Sequence, residues 1–169
     1  MEITQDLLSP NVEVGNKKDI VIYHTHATES YTPTEAFNYQ MTSTYRTTDN
    51  NFNVVRVGRE LKNILNAEGY NVIQSENQHD YPSYSGSYER SLETATNILN
   101  EMENKADITI DIHRDALGDN TYGPVVKLGE EYAAQLVIVI GVDHENWVQN
   151  LKFAVKLQEK GEEMYPRII

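Results

Sequence analysis

Three residues that could bind a metal ion lie close together near the start of the chain, in the stretch IVIYHTHATESY from Ile20 to Tyr31. His24 and His26 are separated by one residue, and Glu29 follows three residues after the second histidine. Neutral imidazole nitrogens and a carboxylate oxygen are typical ligands of hydrolytic zinc sites, which keep one position open for water. The stretch is therefore a candidate metal site, although a histidine pair alone also occurs in ordinary polar loops.

A further histidine strengthens this hypothesis because it also follows an apolar stretch that is typical of a strand. The segment ADITIDIH ends at His113, just as IVIYH ends at His24. If the two strands are parallel neighbours, their carboxyl ends lie at the same edge of the sheet, where α/β proteins bind ligands. We therefore predict a zinc site formed by His113, Glu29 and a histidine from the first strand end. Since successive strand residues point in opposite directions, only one of His24 and His26 is expected to be a direct ligand.

Charged residues surround the second strand-end histidine in the motif HRD. Arg114 could pair with a carboxylate of the substrate, as arginine often does in binding sites. A surface salt bridge would explain Arg114 equally well. Asp111 or Asp115 could accept the second ring N–H of His113 and so set its tautomer.

The segment HDYPSYSGSYERS is a candidate for the wall of a substrate cleft. His79 and Asp80 precede several aromatic residues, and Arg90 lies near the start of a predicted helix. A capped helix entry at Ser87 explains part of this pattern equally well. The fifth histidine, His144, lies in DHENW, which is typical of a turn, and we place it outside the site.

The hydrophobic pattern predicts the elements that must position these residues. Five apolar segments have the character of strands, namely DIVIY, YNVI, ADITIDIH, GPVVKLG and AAQLVIVIG. Apolar residues at helical spacing predict helices from Phe52 to Gly69, from Leu92 to Met102, and from Trp147 towards Gly161. This order predicts an α/β fold, a three-layer sandwich with a mixed, mostly parallel sheet, right-handed crossovers and flanking helices.

Composition and charge exclude several classes of function. The 169 residues carry a net charge of -12, which disfavours binding to nucleic acids and to anionic membranes. The chain has no cysteine, so disulfides and thiolate metal sites are excluded. The longest apolar stretch, AAQLVIVIGV, is too short to cross a bilayer. We expect residues 1–18 to be an irregular lead-in and residues 19–169 to form one domain, cut short before its final strand because MYPRII is typical of the approach to a strand.

Four sequence blocks resemble, in the same order, the stage II sporulation protein P family. They are IYHTHATESY, NVVRVGRELKNIL, HDYPSYSGSYERSLET and IDIHRDA, within a resemblance that extends from Ile20 to about Tyr165. That family is similar to zinc N-acetylmuramoyl-L-alanine amidases and zinc carboxypeptidases. The resemblance implies that His26 and His113 bind zinc. The pattern HTHxxESY favours Glu29 as the acidic ligand, whereas alignment with the amidases makes Asp49 its rival.

The resemblance implies a zinc-dependent hydrolase that cleaves the N-acetylmuramoyl-L-alanine amide of peptidoglycan, and also an endopeptidase activity on stem-peptide cross-links. It further implies action in the cell envelope during engulfment, with a membrane anchor outside this segment and a partner that cuts glycan strands. The family's catalytic glutamate has no match here. We therefore expect the general base beyond Ile169 and weak activity without it. The alternatives are a carboxypeptidase-like zinc peptidase and a non-catalytic domain that binds cell wall or a partner protein.

Overall fold

The computed structural model describes residues 4–13, 15–103, 105–115 and 123–169. The chain forms two compact units, one of residues 15–116 and one of residues 1–14 with 117–169. The order of elements is β-α-β-α-β in the first unit and β-β-α in the second, as the sequence predicts. Among the described residues, no helix combines the length and the apolar character needed to span a bilayer.

The first unit is built on a three-stranded parallel sheet. Its elements are β1 (Asp19–Tyr23), α1 (Val54–Ala67), β2 (Asn71–Gln74), α2 (Ser87–Glu101) and β3 (Ile108–Asp111). The strand order is β2-β1-β3, so β1 has a neighbour on both edges. Ile20, Val21 and Ile22 are at most 4% exposed, which explains the continuous apolar sequence of this strand.

Helices cover both faces of this sheet. On one face, Leu61 and Leu65 of α1 pack against the core that contains Ile22. Just beyond the end of β1, the chain contacts the other helix, because the Thr25 hydroxyl lies 2.7 Å from the Ser91 hydroxyl of α2. The connections β1-α1-β2 and β2-α2-β3 run in opposite directions across the sheet, so right-handed crossovers place α1 and α2 on opposite faces.

The second unit contains an antiparallel hairpin and a long helix. Its elements are β4 (Val125–Leu128), β5 (Glu131–Ala134) and α3 (Trp147–Met164). Leu128 pairs with Glu131, so the turn between the two strands has two residues. Gly129 begins this turn with a φ of 63°, which glycine adopts without a steric penalty.

Two expectations about the sheet are wrong. The expected single mixed sheet is not observed among the described residues, because β4 and β5 pair only with each other through their short turn. The predicted strand AAQLVIVIG ends at Ala134. The backbone N–H of Gln135 still donates to the Pro124 carbonyl at 3.1 Å, but Pro124 has no N–H with which to continue the ladder. The Leu136 backbone N–H instead donates to the Ile168 carbonyl at 2.7 Å, and Leu136 and Val137 lie outside any strand and are exposed.

Strand β1 begins at Asp19, where the irregular lead-in was expected to end. The expected domain boundary between residues 18 and 19 stays a prediction.

Candidate metal centre

Parallel pairing of β1 with β3 brings the residues that follow both strands to the same edge of the sheet. Tyr23 pairs with Asp111 at the end of the ladder. Just beyond it, the rings of His26 and His113 meet edge to face with their centroids 5.0 Å apart. Glu29 joins them because its backbone N–H donates to the His26 carbonyl at 3.0 Å, which turns the chain back towards the histidines. One potential ligand atom from each of these three side chains lies within 4.8 Å of the others.

The distances from the two imidazoles to the Glu29 carboxylate are close to the spacing of ligand atoms around a tetrahedral metal ion. His26 Nδ1 lies 3.6 Å from Glu29 Oε1, and His113 Nδ1 lies 3.5 Å from Glu29 Oε2. Tetrahedral zinc with bonds of about 2.0–2.2 Å separates neighbouring ligand atoms by roughly 3.4 Å. In the part of the chain that the structure describes, no other three histidine or acidic side chains are grouped in this way. The residues therefore fit zinc with three protein ligands.

Both histidines use their second ring nitrogen in contacts within the protein. His113 Nε2 lies 2.9 Å from Asp111 Oδ2, and Asp111 also accepts hydrogen bonds from the backbone N–H and the hydroxyl of Thr25. His26 Nε2 lies 3.1 Å from the Ser87 hydroxyl. When Nε2 of each histidine donates these hydrogen bonds, Nδ1 is left as the nitrogen that can bind a cation. The same hydrogen bonds hold each ring in position. Asp111 is thus the residue that accepts the second ring N–H of His113, a role for which the sequence left Asp111 and Asp115 as candidates.

The Glu29 carboxylate is buried and held by several donors. The Arg114 backbone N–H donates to Oε2 at 2.9 Å, and the Arg46 guanidinium donates to Oε1 at 3.2 Å. Burial by itself raises the pKa of Glu29, but the hydrogen bonds from His113 and the Arg114 backbone outweigh it, so the pKa lies below its ordinary value. Glu29 is therefore ionised at neutral pH, as a metal ligand must be.

The two histidines of the cluster differ in charge. The hydrogen bond with Asp111, followed by that with Glu29, raises the pKa of His113 to about 9 although burial opposes this. Burial lowers the pKa of His26, and the positive charges of His113 and Arg46 act in the same direction. Without a metal, a proton on His113 therefore balances part of the charge of Glu29 and Asp111. A divalent cation could replace the proton on His113 Nδ1 next to Glu29, while Nε2 keeps its hydrogen bond to Asp111.

Arg46 supports the cluster and was missed by the sequence-based prediction. Its guanidinium bridges Glu29 and Asp80, with a distance of 2.6 Å to Asp80 Oδ2. A short antiparallel pairing between Glu29 and Arg46 brings the two residues together. The only signal in the sequence is the unusual length of the polar segment that contains Arg46, because such a loop has no periodicity that reveals its pairing.

Two of the predicted substrate-binding residues, His79 and Asp80, are buried beneath the cluster. His79 Nδ1 lies 2.7 Å from the His24 carbonyl, and His79 Nε2 lies 2.8 Å from the Thr94 hydroxyl. Asp80 accepts hydrogen bonds from the backbone N–H and the hydroxyl of Thr28, at 3.1 and 2.6 Å. These contacts hold the loop between His24 and Glu29 in place. A role of His79 or Asp80 in substrate binding stays a prediction.

The two predicted substrate-binding arginines also bind backbone carbonyl groups. Arg90 donates to the carbonyls of His79 and Ser83, at 2.7 and 2.5 Å. Arg114 donates to the carbonyls of Ser30 and Tyr45, at 2.9 and 3.0 Å. Both side chains therefore stabilise the loops that surround the cluster, and their role in substrate binding likewise stays a prediction.

The structure places the three remaining candidates outside the cluster. His24 is fully buried, and its Nδ1 lies 3.3 Å from the Ile112 carbonyl. Asp49 is exposed, and its carboxylate accepts a hydrogen bond from the backbone N–H of Asn51 at 2.9 Å. His144 lies in an exposed turn before α3, as the sequence predicts. The structure thus brings Glu29, and not Asp49, to the two histidines.

Comparison with known proteins gives the family of the chain. A sequence model described as Stage II sporulation protein P (SpoIIP) matches residues 4–169. The Stage II sporulation protein P of Bacillus subtilis (strain 168) is 31% identical over 163 residues, which cover 93% of this chain and 39% of that protein. The chain thus spans well under half the length of this curated relative. No solved structure matches the chain. The chain belongs to the stage II sporulation protein P family.

Proposed function

We propose that this chain is the metal-binding part of a zinc-dependent peptidoglycan hydrolase that acts in sporulation. The bond cleaved would be the amide between N-acetylmuramic acid and L-alanine. The observation that carries this proposal is the cluster of His26, Glu29 and His113, in which both imidazoles direct Nδ1 towards one carboxylate. Zinc bound there would supply a Lewis acid that polarises the scissile carbonyl and lowers the pKa of water.

The side chains around the cluster would hold its ligands in position and admit the substrate. Glu29 is buried, whereas the His113 side chain is 32% exposed, so the cluster is accessible from the side of His113. Tyr84 stacks on the His26 ring at 4.6 Å, and Tyr88 meets the same ring edge-on at 5.3 Å. Both tyrosines are more than half exposed, so they form an aromatic rim at the entrance.

The wider context of the proposal comes from the family. The family name supports a role in sporulation. We extend it to action in the cell envelope, alongside a protein that cuts glycan strands, with membrane attachment through a segment outside these residues. A parallel sheet flanked by helices, with ligands at the carboxyl ends of its strands, is compatible with an amidase-like or carboxypeptidase-like fold.

Metal analysis tests the site directly. Purified wild-type protein is expected to bind one zinc ion per chain, and His26→Ala and His113→Ala to lose most of it. His144→Ala is the matched control, because this histidine lies in an exposed turn of the other unit and should leave the zinc content unchanged. The proposal is wrong if the wild type binds no zinc or if both cluster variants retain it fully.

Product analysis tests the bond that is cleaved. Digestion of purified peptidoglycan should release stems with new L-alanine amino termini, whereas an endopeptidase would release termini from within the cross-links. Because the resemblance implies a general base beyond Ile169, turnover is measured with a protein that includes that region, and His26→Ala in the same protein should abolish it. Zinc-dependent release of other termini alone would refute the amidase assignment.

A further inference from the structure

An aromatic groove lies next to the segment that carries Glu29. It has a volume of about 450 Å³ and lies between residues 30–39 and the N-terminal end of α1. Its main lining residues are Tyr31, Phe37, Tyr39, Phe52, Arg56 and Glu60. Phe37 is 55% exposed and Tyr31 is 45% exposed, so apolar ring surface is available to a ligand. We call this feature the aromatic groove.

Contacts within the protein hold the rings of the aromatic groove in position. The Tyr39 hydroxyl donates to the Tyr31 carbonyl at 2.6 Å, and the Tyr39 ring stacks near Phe52 with centroids 6.0 Å apart. The Arg56 guanidinium lies over the Phe37 ring, 5.5 Å from its centroid. Rings held in this way lose little conformational freedom when a ligand binds, which favours affinity.

The backbone that forms one wall of the aromatic groove also positions the metal cluster. The Glu29 carbonyl accepts a hydrogen bond from the Val54 N–H at the start of α1, at 2.8 Å. Ser30, the next residue, pairs with Asn53 and lines the groove. A polymeric substrate with its scissile bond at the cluster could therefore extend into the groove.

The chemistry of the aromatic groove suits a sugar ring. A hexosamine has an apolar face of C–H groups that packs on aromatic rings, and a rim of hydroxyl and amide groups that form hydrogen bonds with polar side chains. Arg56, Glu60 and Asn51 supply a guanidinium, a carboxylate and an amide at the edge of the groove. Because the guanidinium and the carboxylate balance each other, the groove offers no net charge with which to select a charged stem peptide.

We infer that the aromatic groove binds an N-acetylhexosamine unit of the glycan strand, on the sugar side of the scissile amide. This inference rests on the proposed function, since it assigns one part of that substrate to a site of its own. According to this inference, Phe37 and Tyr39 give the site its preference for the glycan over the stem peptide.

Binding without turnover tests this inference. The whole chain is titrated by calorimetry with a peptide-free peptidoglycan tetrasaccharide and, separately, with free stem peptide. We expect the tetrasaccharide to bind, and Phe37→Ala and Tyr39→Ala to weaken its binding by about tenfold or more, a change of ~1.4 kcal/mol. Tyr39→Phe, which keeps the ring, should retain most of the affinity if stacking is the main contribution. Tyr132→Ala is the control, because Tyr132 is a 71% exposed tyrosine of the other unit.

The outcomes separate this inference from the proposed function. His26→Ala should lose zinc and still bind the tetrasaccharide. Absence of tetrasaccharide binding to the wild type would overturn the groove assignment without affecting the zinc result. Wild-type affinity in both Phe37→Ala and Tyr39→Ala would overturn it as well. Stem-peptide binding that these two variants abolish would also overturn it, because the groove would then belong to the peptide.

Discussion

Raising the pH from 7 to 9 is expected to destabilise the metal-free protein through His113. The pKa of this histidine is about 9 in the folded protein, because Asp111 and then Glu29 stabilise its charged form, against an ordinary value of 6.5. A raised folded-state pKa contributes stability that is fully present below 6.5 and is lost as the pH rises through about 9. The free energy of unfolding should therefore fall across this interval.

The size of this effect follows from the difference between the two pKa values. A change from 6.5 to about 9 corresponds to about 3 kcal/mol of stability in all, of which roughly 2 kcal/mol would be lost between pH 7 and pH 9. Because the His113 side chain is 32% exposed, solvent screening reduces the expected loss to on the order of 1–2 kcal/mol. Burial lowers the pKa of His24 and of His26, so these two histidines reduce stability only below about pH 6.5, outside the interval from pH 7 to pH 9. Burial raises the pKa of Tyr23 above 10, outside the same interval.

Zinc should flatten this pH dependence, because His113 is neutral both in the zinc-bound folded protein and in the unfolded chain between pH 7 and pH 9. A zinc ion must displace the proton of His113, so zinc affinity should rise by about tenfold per pH unit up to about pH 9. The stabilisation by a fixed excess of zinc should accordingly be larger at pH 9 than at pH 7. The two trends offset each other, so the stability of the zinc-bound protein should change little between pH 7 and pH 9, whereas that of the metal-free protein falls.

Urea unfolding at pH 7 and pH 9, with zinc and with a chelator, measures both effects. Circular dichroism is the suitable signal, because the single tryptophan, Trp147, lies in the other unit. Asp111→Asn is the matched variant, since it removes the main cause of the raised pKa and should flatten the pH dependence of the metal-free protein. NMR titration of the metal-free protein gives the pKa of His113 directly. A value near 6.5, or equal metal-free stability at both pH values, would refute this account.

Two further predictions concern residues that support the site. Arg46→Ala should destabilise the protein by about 2–3 kcal/mol in urea unfolding, because it leaves the buried Asp80 carboxylate without its cation. Arg46→Lys should recover part of this loss. An unchanged unfolding midpoint for Arg46→Ala would contradict the prediction. Gly58→Ala should cost about 1–3 kcal/mol, because a Cβ there would lie 2.5 Å from the Gln74 amide nitrogen and 2.8 Å from the buried His24 ring. Asn63→Ala is the control, because Asn63 is an exposed position of the same helix, and it should leave the stability unchanged. Equal effects of Gly58→Ala and Asn63→Ala would show that the packing of His24 does not require a glycine at position 58.

Local sequence patterns determined the order of the elements and the location of the histidines. Continuous apolar residues in DIVIY and the helical spacing after Phe52 each reflect the period of one element, so they can be recognised without knowledge of the rest of the fold. The placement of His24 and His113 at strand ends follows from the same patterns. The predicted metal site depended on the condition that β1 and β3 are parallel neighbours, and the structure pairs these two strands in parallel.

Only the tertiary structure decided which acidic residue joins the histidines and what supports them. Glu29 and Asp49 both lie in a polar loop, and only the turn at His26 and the pairing with Arg46 bring Glu29 to the cluster.

The end of the predicted strand AAQLVIVIG also depends on a pairing that one segment of sequence does not reveal. Its apolar residues favour a strand, but a strand needs a partner, and the ladder stops where Pro124 lacks an N–H. Apolar periodicity is a property of one segment, so the sequence by itself determined the elements and the strand-end histidines. Hydrogen-bonded pairing joins segments far apart in the chain and leaves no such pattern, and for that reason only the tertiary structure decided how the site is completed.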